Sequence, residues 1–122
     1  MSSSLKRVIL EMGTGNDLYG EDYTKAGVRA VQDALHHSSL TLFRSLGINR
    51  DEMQVEVTVA VQQPDQVDKN RIAEQIPYGE VLVNAVPGGL NIVDDENGTT
   101  SVIATAAVIA RLNLPNERFT LE

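Results

Sequence analysis

The chain has 122 residues, no cysteine, 4% aromatic side chains and a formal net charge of −7. That length suits a single domain over residues 1–122, and the missing cysteines exclude disulfides and thiolate metal sites. Ten basic against 17 acidic residues, with no basic run, argue against nucleic acid and against an anionic membrane surface, which clustered Lys and Arg bind.

Residues 1–4 read as a loose polar tail. The three consecutive apolar residues of MSSSLKRVILEM are too few for a signal-peptide core. No stretch approaches the ~18 apolar residues of a membrane span, so a cytoplasmic setting is expected. Leu5–Met12 reads as a strand, with Val8, Leu10 and Met12 on one face and Ile9 and Glu11 on the other. A glycine-rich acidic loop, GTGNDLYGED, follows at 13–22. A helix then starts near Asp22–Thr24, either end of which can cap it. Val28, Val31 and Leu35 recur at helical spacing, and Leu42 and Leu46 extend the stripe. Ser38-Ser39 leaves open one long helix or two short ones before Gly47.

Met53–Val61, MQVEVTVAV, alternates without exception. Met53, Val55, Val57, Val59 and Val61 form one face, a strand with one buried side. QQPDQ at 62–66 is a turn, and Asp65 or Asp68 can cap a short helix to about Gln75, stopped by Pro77. Glu80–Val86 is a third strand, broken by Pro87-Gly88-Gly89, and Leu90–Val93 a short fourth. Asn97-Gly98 is a hairpin signal. TTSVIATAAVIARLN is apolar on both strand faces and reads as a buried central strand, although its alanines also admit a helix. LPNERFTLE is a polar tail, on the surface or docked on a neighbour.

This order predicts an α/β fold of the α+β type: a single mixed or antiparallel sheet with helices packed on one face, a two-layer sandwich. The double-sided apolar run Val102–Ala110 then needs a cover on its second face, which predicts a homo-oligomer.

The loop at 13–22 fails both phosphate-binding patterns. Glu21-Asp22 stands where a Walker loop needs Lys-Ser/Thr. Gly20 comes two positions late for a dinucleotide fingerprint. Glu11, Asp17, Glu21 and Asp22 remain, four carboxylates in 12 residues. Such a cluster calls for a positive partner: Mg²⁺ or Ca²⁺ through oxygen ligands, Lys25 or Arg29, or a cationic substrate. The candidate site is Asp17, Tyr19 and Lys25 as catalytic groups, with Asp17 the acid/base. Gly13, Gly15, Gly20 and Asp22 would hold a small polar ligand. The plain alternative is structural: glycines on a tight path, Asp17 bonding its own backbone and Asp22 capping the helix. His36-His37 are adjacent, about 100° apart on a helix, and cannot chelate one ion together. Ser38, Ser39 and Ser101 lie in no nucleophile elbow.

GTGNDLYG resembles G-x-G-x-D-x-H-G, the hallmark of a small family of bacterial and plant proteins named after a Listeria locus. Gly13, Gly15, Asp17 and Gly20 match, and Tyr19 stands where the histidine is expected. The resemblance extends through DYTKAGVRAVQDAL, VDKNRIAEQIPYGEVLVNAVPGGL and ATAAVIA. It implies a neighbourhood and not a reaction. A tyrosine replaces a histidine as a hydrogen-bonding group, but poorly as a base or metal ligand. The PYG, PGGL and AAV segments are similar to the repeats of ring-opening amidases such as cyanuric acid hydrolase. Through them they resemble small trimeric α/β proteins with sites between subunits, a likeness of fold alone. Two functions follow: an oligomeric ligand binder or enzyme with its site at 13–22, or a non-catalytic structural or partner subunit.

Overall fold

The computed structural model describes residues 5–36, 52–76 and 79–113. Expectations at Ser38, Leu42, Leu46, Gly47, Pro77 and both tails lie outside these residues. Among the described residues the elements are β1 (Leu5–Asp17), α1 (Tyr23–His36), β2 (Gln54–Val61), a 3-10 turn (Pro64–Gln66), α2 (Lys69–Ala73), β3 (Glu80–Pro87), β4 (Leu90–Asp94) and β5 (Thr99–Asn113). The strands form one mixed sheet in the order β1-β5-β2-β3, with β4 on β5. The helices cover one face, as expected of an α+β sandwich.

β5 is the central strand and its apolar run is extended, not helical. It pairs antiparallel with β1 along one edge. Along the other edge it meets β2 from Thr105 to Arg111 and β4 from Thr99 to Ile103, so β2 and β4 lie end to end. β2 and β3 are parallel, which requires a crossover, and the 3-10 turn and α2 provide it. Asp68 caps α2, its carboxylate accepting from the Asn70 and Arg71 amides at 3.0 and 3.4 Å. The Asn97-Gly98 hairpin forms, with Gly98 at φ 65°.

The period-two reading of β2 holds: Met53, Val55, Val57, Val59 and Val61 are all buried. They meet Val102, Ala104, Ala106, Val108 and Ala110 from β5 and Ala26, Ala30, Val31 and Ala34 from α1. Thr24, also buried, accepts from the Asp68 amide at 2.8 Å and so ties α1 to the β2–β3 crossover.

The first strand runs five residues beyond its expected end at Met12, to Asp17. Gly13 and Gly15 therefore lie in a strand and not in a loop, paired with Ala106 and Ala104. The helix explains them. A Cβ on Gly13 would stand 2.5 Å from the Ala30 carbonyl, and one on Gly15 2.6 Å from the Ala26 carbonyl. Ala26, Ala30 and Ala34 recur every four residues on the face of α1 that lies on these glycines. The backbones of strand and helix touch with no side chain between them.

Gly15→Ala is expected to force α1 off the sheet, costing about 2–3 kcal/mol, or roughly 10 °C in Tm. Gly98→Ala, which meets no atom within 4 Å but keeps a positive φ of 65°, should cost only about 1 kcal/mol. Thermal melts followed by circular dichroism compare the two.

Candidate functional site

The turn joining β1 to α1 is built around the Asp17 carboxylate. Asp17 is 5% exposed. Its Oδ2 accepts the Gly20 and Asp22 backbone N–H groups at 3.1 and 3.0 Å. Its Oδ1 faces Lys25 Nζ at 3.9 Å and Arg29 Nη1 at 3.7 Å. A Cβ on Gly20 would stand 2.8 Å from Oδ2, so only glycine lets the chain pass this close to the carboxylate. Asp22 caps α1, accepting from the Lys25 amide at 3.0 Å. The positive partners of the acidic turn are thus Lys25 and Arg29, two of the candidates named from the sequence.

Arg29 also donates to the Asn16 carbonyl and Asp33 accepts from the Thr14 amide, at 2.6 and 2.9 Å. Both bonds engage the outer edge of β1. Ser101, a weighed nucleophile, donates its hydroxyl to the Leu18 carbonyl at 2.9 Å. Leu18 and Tyr19 form the tip of the turn and are 49% and 78% exposed. Tyr19 makes no hydrogen bond among the described residues. Of the predicted site, Asp17, Gly20, Asp22 and Lys25 come together. Gly13 and Gly15 lie under α1, and Tyr19 stands exposed at the tip of the turn. Among the described residues, no three His, Asp or Glu side chains form a group that could hold a metal.

Two grooves lie elsewhere, on the sheet face opposite the helices. A groove of about 510 Å³ is lined by Met12, Thr14, Thr58, Ala60, Thr105 and Ala107, with Asp33 at its border. A second, of about 320 Å³, lies beside Glu56, Leu82 and Arg111. There Arg111 Nη1 donates to Glu56 Oε1 at 2.9 Å and Asn84 Nδ2 to Oε2 at 3.0 Å. The hydrogen bond from Arg111 holds the Glu56 carboxyl below the usual carboxylate range, helped by the guanidinium charge and the Asn84 amide and opposed by partial burial. Sequence reasoning missed this trio. Its members are 28 and 27 residues apart in the chain, and only the β5-β2-β3 register brings them together. The visible signal was Glu56 and Thr58 on the wetter face of β2.

A family profile described as "Conserved hypothetical protein (Lin0512_fam)" matches residues 7–110. The crystal structure of an FtsZ-like protein of unknown function from Nostoc punctiforme is similar to this chain at 32% identity, with a TM-score of 0.80, covering 92% of this chain and 99% of that one. No curated protein matches. No described helix is long and apolar enough to cross a membrane.

Asp17→Ala orphans two part-buried backbone donors and leaves Lys25 and Arg29 unopposed, so it is expected to cost about 1–2 kcal/mol. Asp17→Asn, which keeps an acceptor, should cost less. Hydrogen exchange at the Gly20 and Asp22 amides, with thermal melts, tests both. Glu56 predicts a pH dependence. Its folded pKa is lowered, so its pairing stabilises above the unfolded value of about 4.3 and the gain is lost as pH falls through the folded value. The Tm difference between wild type and Glu56→Gln should be constant above pH 5 and shrink below about pH 4.

Proposed function

The chain belongs to the family of conserved hypothetical proteins Lin0512_fam, and we propose that it acts as a non-catalytic, self-assembling subunit whose open sheet face packs against a second copy. The observation that carries this reading is the clustering of apolar side chains on that face. Leu10, Met12, Leu82, Val86, Leu90 and Ile92 are exposed, and the register puts all six on the side away from the helices. Scattered exposed hydrophobics are ordinary; a contiguous patch marks an interface.

Charge favours a second copy as the occupant. The protein carries −7, yet the charges that the register places on the open face nearly cancel, Arg7 and Arg111 against Glu56, Glu80 and Asp94. A second copy meets this face without the repulsion that the rest of the surface would create. Size agrees as well. Four strands abreast at ~4.8 Å, along about nine residues at ~3.3 Å, give roughly 600 Å² of flat footprint. Corrugation brings this toward the ~800 Å² per partner of a standard interface.

The turn at Asp17 supports this reading over an acid/base role, because both carboxylate oxygens already serve the fold. A cytoplasmic setting suits the cysteine-free composition.

Native mass spectrometry and sedimentation velocity on the wild type at micromolar concentration should show a homo-oligomer. Leu82→Glu and Met12→Glu, which place a charge on the face without touching the core, should each weaken association at least ~10-fold. A wild type that stays monomeric at tens of micromolar overturns the reading.

A further inference from the structure

We propose that the Leu18–Tyr19 tip of one copy enters the Thr- and Ala-lined groove on the open face of the next, a head-to-tail contact between different patches of the same chain. This rests on the self-assembly reading and specifies its geometry.

The tip is ordered without being packed. Asp17 fixes the Gly20 and Asp22 amides, Ser101 fixes the Leu18 carbonyl, and Glu21 adopts φ 50°, unusual for a residue with a side chain. All of this holds a backbone whose two apolar side chains stand in water, Tyr19 at 78%. A large side chain on a backbone already fixed loses little entropy on docking, and exposed tyrosines of this kind anchor interfaces.

The groove has the complementary chemistry. Ala60 and Ala107 give it depth, Met12 an adaptable apolar wall, and Thr14, Thr58 and Thr105 hydroxyls or backbone to meet a phenol. A tyrosine asks for that combination, an apolar bed for the ring and a polar partner for its O–H. Neither tip side chain is charged, and the acid at the groove border, Asp33, is engaged by the Thr14 amide. The tip does not occupy its own groove, since Tyr19 is exposed. Because knob and groove are different patches, the contact is heterologous and builds a closed ring or an open chain.

Two variants test this. Tyr19→Ala removes the knob and leaves the groove; Ala107→Arg blocks the groove and leaves the knob. Thr58→Arg serves as a second groove variant, and thermal melts check that each folds. Native mass spectrometry should show each variant alone at least ~10-fold weaker in association than wild type. Their equimolar mixture should recover a heterodimer, because one intact knob meets one intact groove. A monomeric wild type overturns the assembly reading and this one with it. An assembled wild type with Tyr19→Ala equally assembled, or a mixture with no heterodimer, overturns the tip-in-groove contact alone.

Discussion

The structure depends on the contact of α1 with β1 through Gly13 and Gly15. Two layers normally stand about 10 Å apart because side chains fill the gap. Here glycine faces alanine, with Ala26, Ala30 and Ala34 resting on the strand backbone. A helix this close cannot shift along the strand without a clash, so the contact sets its height and direction. The rest of the core follows from that position. Val31 reaches the sheet, Thr24 reaches the crossover, and Asp33 and Arg29 reach the outer edge of β1.

The same closeness explains the acidic turn. A strand that touches its helix leaves only residues 18–22 to reverse direction. Free amides gather at the start of α1, and the Asp17 carboxylate is placed to accept two of them. A buried carboxylate with backbone donors alone keeps an uncompensated charge. Lys25 and Arg29, one and two turns into the helix, supply the opposite sign while remaining partly in water. With both oxygens engaged in this way, Asp17 fixes the turn.

Much of the fold was legible in the sequence because it rests on periodicity. β2 showed its buried face in five alternating residues, Asp68 showed its cap, and Asn97-Gly98 showed its turn. The length of β1 was hidden because glycine reads as loop. Nothing local says that its missing side chain makes room for a helix 11 to 21 residues further on. The residue pattern at Asp17 pointed to carboxylates in need of a cation, and the helix that supplies it was named as one of several sources. The Glu56, Asn84 and Arg111 trio was invisible, since it depends on β5 lying between β1 and β2, an order that the chain direction does not announce.

The edges of the sheet bear on how copies can meet. β1 is an outer strand, and an outer strand offers unpaired N–H and C=O groups to any neighbouring chain. Near its end those groups are taken: Asp33 accepts from Thr14 and Arg29 donates to Asn16, both from consecutive turns of α1. Strand addition at that point would have to break two charged hydrogen bonds, which are stronger than the neutral ladder bonds that would replace them. The open face has no such guard. Its polar pair, Glu56 with Arg111, is satisfied within the subunit, and around it stand Leu82, Met12 and the small residues of the groove. Association through the face therefore asks no hydrogen bond to be surrendered, while association at the guarded stretch of the β1 edge does. That difference favours side-chain contact over an extended sheet.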